Sequence, residues 1–65
     1  MIEITKVSGG YLAHATPPNI KGEWQTDGPM PAKDIIAMLL GRGAHQTDIG
    51  DALYAADPNW LGNSN

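Results

Sequence analysis

His45, Asp48 and Asp51 follow one another at intervals of three, a spacing that makes side chains neighbours on one helix face. An imidazole with two carboxylates suits zinc, iron or manganese, and His14 offers a further donor from elsewhere in the chain. The same residues have a plainer use. Asp48 and Asp51 fall where a helix would begin, and the helix dipole favours negative charge there. His45 lies in a glycine-bounded connection just before them. The plainer use accounts for all three, so no metal and no cofactor is expected.

Other chemistries have less to stand on. Ser8 sits in a turn and Ser64 in a tail, and neither has a histidine near it in sequence. Gly41-Arg42-Gly43 lacks both the Lys-Ser/Thr ending and the preceding strand of a phosphate-binding loop. Carboxylates are present, but a 65-residue chain has little material to wall off a substrate pocket of several hundred Å³. The expectation is a protein that is not an enzyme.

Any such residues need a scaffold, and this one must be built without covalent help. The 65 residues include no cysteine, which removes disulfides and thiolate metal sites. A domain of this size buries only about 60% of the surface its unfolded chain exposes, so packing or self-association must supply the stability. With 42% hydrophobic and 17% charged residues, the composition is that of a folding chain. The longest apolar run, Ile35 to Leu40, is far short of the ~18 residues of a membrane span. Met-Ile-Glu at the start carries no basic, apolar leader, and a cytoplasmic setting is expected.

The expected elements follow from periodicity and punctuation. Ile2-Glu3-Ile4-Thr5 alternates and runs on to Val7, which predicts a strand. Ser8-Gly9-Gly10 supplies a hairpin turn, and Tyr11 to Thr16 the returning strand. Pro17-Pro18 stops it. A weaker third strand is expected over residues 20–26, centred on Trp24. Pro31 then opens a helix whose Ala32, Ile35, Ile36, Leu39 and Leu40 form one apolar face, with Gly41 and Gly43 as stop signals. A second helix is expected from an N-cap at Thr47, with Ile49, Leu53, Ala56 and, if the chain folds back past Asp57-Pro58, Trp60 on its inner stripe. The last four residues read as a frayed tail. The result is a single α+β domain over residues 1–65: a small antiparallel sheet, an N-terminal hairpin plus a third strand, packed against two C-terminal helices.

Residues 40–53, Leu-Gly-Arg-Gly-Ala-His-Gln-Thr-Asp-Ile-Gly-Asp-Ala-Leu, resemble the opening half of a repressor-type helix-turn-helix. The resemblance implies DNA binding, with a recognition helix after Leu53. The residues themselves argue otherwise. Positions 43–65 hold three aspartates and no Lys or Arg, and phosphate neutralisation by cations supplies most non-specific DNA affinity. The formal net charge of −3 points the same way, and nucleic acid is the second reading.

A protein-binding module is the first. Helical geometry turns Met38 away from the apolar face of its helix and Tyr54 away from the stripe of the next. Asp51, three residues before Tyr54, belongs beside it. Met and Tyr are favoured at interfaces. Met38, Asp51 and Tyr54, with Trp24 on a possible sheet edge, are therefore the candidate partner-binding residues, and the partner is a protein or a second copy. Free-standing chains of this length without a motif look similar, in size and style, to the accessory and inhibitor proteins of phages and prophages.

Overall fold

The computed structural model describes residues 1–60, so the expected frayed tail lies outside the described residues. Strands β1 (Ile2–Val7), β2 (Gly10–Ala15) and β3 (Trp24–Gln25) precede helices α1 (Ala32–Gly41) and α2 (Gln46–Ala56). The strands form one antiparallel sheet in the order β1-β2-β3, and the fold is α+β as the sequence implied.

The hairpin is set by its glycines. Val7 pairs with Gly10 around Ser8-Gly9, and Gly9 takes φ +92°. Gly10 is required for a second reason. A β-carbon there would meet the Met30 carbonyl oxygen at 2.6 Å, because Met30 bridges to Tyr11 through Tyr11 N to Met30 O (2.9 Å) and Met30 N to Tyr11 O (3.0 Å). The third strand is shorter than expected. Gly22 adopts φ +72°, outside strand geometry, so only Trp24 and Gln25 pair with β2. Ile20 is nevertheless buried as an anchor within the connection.

Both helix starts differ from expectation by a residue or two. Pro31 caps α1 instead of occupying its first turn, and α2 begins at Gln46 with His45, not Thr47, at the cap and no side-chain bond there. The connection explains the second shift. α1 closes with Gly43 N to Leu40 O and Ala44 N to Leu39 O, both 3.1 Å, around Gly43 at φ +96°. This Schellman closure satisfies the last carbonyls of α1 and plants Ala44 in the core. Only His45 is left to span the gap to α2.

The core lies between the sheet and the helix pair. Ile35 and Leu39 of α1 and Ile49 and Leu53 of α2 are its fully buried large side chains, and Tyr11, Ala13 and Ala15 meet them from β2. Ile36, Ala32 and Trp60 pack at its margin. Leu40 stands at the rim and is 39% exposed, so the buried stripe of α1 is narrower than its sequence suggests. α2 packs chiefly on β1, and α1 on β2 and on α2.

Candidate functional site

Alternation along β1 turns Ile2, Ile4 and Lys6 toward the helices. The first two are core residues, whereas Lys6 is a cation on the same face. Its partner comes from the far end of the chain. Lys6 Nζ lies 3.0 Å from Asp57 Oδ2, and the Tyr11 hydroxyl donates to that same oxygen at 2.9 Å. The Asn59 backbone N–H donates to Asp57 Oδ1 at 3.0 Å. Asp57 is the C-cap of α2 and only 5% exposed.

The electrostatics follow from these contacts. The hydrogen bond from Lys6 holds the Asp57 carboxyl below its ordinary value. Bonds from Asn59 and Tyr11 act in the same direction, and burial opposes them. The hydrogen bond to Asp57 and the charge of its carboxylate raise the Lys6 ammonium in turn. Among the described residues Lys6, Tyr11 and Asn59 all donate to this buried carboxylate, which satisfies it. This cluster therefore ties the hairpin to the end of α2, a role the sequence reading did not give to Lys6, Tyr11 or Asp57. The signal was present: Lys6 is in phase with two isoleucines, and Asp57 with Leu53 and Ile49 at steps of four.

His14 is on the opposite face of the sheet, where its Nε2 lies 2.6 Å from Glu23 Oε2 at the surface. His45 is exposed, and Asp48 accepts from Asn19 Nδ2 at 3.2 Å. The structure thus separates His14 from the His45, Asp48 and Asp51 set. Among the described residues no three His, Asp or Glu side chains are placed to hold a metal ion.

Of the four candidate binding residues, Trp24 stands on a different part of the sheet from the α2 pair Asp51 and Tyr54. Met38 on α1 is 41% exposed and Tyr54 on α2 is 63% exposed, and Asp51 on α2 is exposed as well. Trp24 is half-buried on β3, paired to Ala15. The Arg42 guanidinium carbon stands 5.6 Å from the centre of its ring, a stacking distance. Trp24 is therefore at the edge of the sheet opposite the strand that α2 covers. Asp51 instead borders a shallow hollow of about 460 Å³ with Met1, Ile2, Asn19, Asp48 and Ala52.

The helix-turn-helix resemblance meets a different local structure after Leu53. α2 continues to Ala56 and is capped by the buried Asp57. Among the described residues no helix is long and apolar enough to cross a membrane. Comparison with protein-family models, curated proteins and solved structures finds no match.

Proposed function

We propose that this chain works by binding another protein, as an accessory or inhibitory module without catalysis of its own. The observation that carries the reading is the exposure of Met38 on α1 and Tyr54 on α2. Core packing leaves them free, because Ile35, Leu39, Ile49 and Leu53 already fill the inner stripes. A tyrosine brings a large contact area at small conformational cost, and methionine adapts to an irregular partner surface. Asp51, one helical step from Tyr54, adds a carboxylate for a basic partner group.

Capture of partners from the native host, read by mass spectrometry, tests the reading. One protein recovered in stoichiometric yield, with binding weakened by more than ~1 kcal/mol in Tyr54→Ala or Met38→Ala, supports it. Enrichment of DNA fragments in place of protein overturns it.

A further inference from the structure

The two edges of the sheet are unequal. The β3 edge is two residues long and runs into Pro29 and Pro31, and prolines and short strands discourage pairing. The β1 edge is six residues in unbroken register, without proline or bulge. Its hydrogen-bonding phase is fixed by Met1 and Thr16, which exchange N–H to O bonds of 2.8 Å in both directions. Alternation then gives the inward bonds to Glu3, Thr5 and Val7, and turns the N–H and C=O of Ile2, Ile4 and Lys6 outward. Among the described residues no strand lies beside them. A lysine side chain commonly guards such an edge, but Lys6 is drawn back onto Asp57.

We infer that this edge accepts an extended segment of a partner protein, paired backbone to backbone with Ile2, Ile4 and Lys6 and carrying a lysine or arginine opposite Ile2. The inference rests on the protein-binding reading above and specifies its partner. A residue opposite Ile2 shares its face, so its side chain enters the hollow bordered by Asp48 and Asp51. The hollow has two carboxylates and no cationic side chain, and the Met1 nitrogen is turned toward Thr16. Asn19 donates to one oxygen of Asp48, and Asp51 is the more exposed of the two carboxylates and the one set out for an incoming cation. A second copy is a poor occupant. Since α2 packs on β1, joining two β1 edges about 4.8 Å apart would crowd two helices that need about 8–10 Å.

The probe is a short blocked peptide, Thr-Val-Thr-Val-Thr-Lys-Thr, whose antiparallel pairing sets its lysine opposite Ile2 and its valines opposite Ile4 and Lys6, titrated into isotope-labelled protein while backbone amide signals are followed. The expected result is saturable shifts at Ile2, Ile4 and Lys6, and slower hydrogen exchange of those amides. Asp51→Asn should weaken binding roughly twofold to fivefold. Protein made by chemical synthesis with an N-methyl group on Ile4 keeps its side chain and the β1–β2 ladder, and should lose roughly tenfold or more. The same peptide with glutamate in place of lysine should bind more weakly than the lysine peptide, and equal binding overturns the choice of cation. No shift at millimolar peptide overturns the inference, as does binding that survives N-methylation of Ile4. A natural partner that needs Tyr54 and Met38 but ignores the methyl group overturns the edge site and leaves the protein-binding reading standing.

Discussion

The inner and outer sides of α2 share eleven residues of one helix and have almost nothing else in common. Inward, Ile49 and Leu53 are buried against β1 and α1, and the helix ends on an aspartate that accepts from Lys6, Tyr11 and Asn59. Outward, Asp51 and Tyr54 stand in solvent. A carboxylate at position 57 and one at position 51 are chemically alike, yet the first is part of the scaffold and the second is available to a partner. What separates them is the phase of the helix relative to the core.

Four measurements press on that contrast. The largest effect belongs to the inner stripe. Leu53→Ala and Leu39→Ala should each cost ~2–5 kcal/mol, enough to unfold a marginal domain; a melting midpoint within a few degrees of the parent would show that the stripe is misassigned.

Asp57→Asn should come next, with a clear fall in melting midpoint at neutral pH, since Lys6 loses its counter-charge. The effect must depend on pH. The Asp57 carboxyl is lowered in the folded protein, so its contribution is complete above its unfolded pKa and is lost as pH falls through the folded value. Lys6 is raised, so its contribution is complete below its unfolded pKa and is lost as pH rises through the folded value. Parent and variant midpoints should therefore differ most between the acidic and strongly alkaline limits and converge in strong acid. A constant difference down to low pH would mean that Asp57 acts through shape and not through charge.

On the outer side, Tyr54→Ala and Met38→Ala should change stability by no more than about 0.5 kcal/mol, measured by denaturant titration. If either unfolds the domain, that side chain belongs to the core. The smallest expected effect is none: duplex DNA should not be retarded at micromolar protein in ~100 mM salt, because the segment from Gly43 through Trp60 has no Lys or Arg to release counterions. A sequence-specific complex weakened by changing residues 54–60 would reverse the charge argument.

Much of this was legible in the residues. Alternation placed β1, Ser8-Gly9-Gly10 placed the hairpin, and helical spacing placed both helices and turned Met38 and Tyr54 outward. What escaped depends on distance along the chain. The Tyr11–Asp57 bond spans 46 positions, and although strand and helix phase turn Lys6 and Asp57 inward, no local pattern says that they meet. The length of β3 escaped because Gly22 takes a left-handed conformation that its neighbours do not foretell. The start of α2 escaped because Thr47 is a good cap by type, while the Schellman closure at Gly43 and Ala44 leaves the helix no room to wait for it. Among the candidate binding residues, facing was readable, but the separation of Trp24 from Asp51 and Tyr54 is a property of strand order.

The packing of the first strand on the last helix has a consequence for how the chain is made. Synthesis delivers β1 early and Leu53 late, so a nascent hairpin leaves the ribosome with one side of its sheet uncovered. The first helix can cover β2 as soon as it appears, but β1 waits for α2. Chains released before Asp57 would carry Lys6 with no counter-charge and Tyr11 without its acceptor. Such fragments would leave exposed the apolar face of β1 that α2 covers in the folded chain.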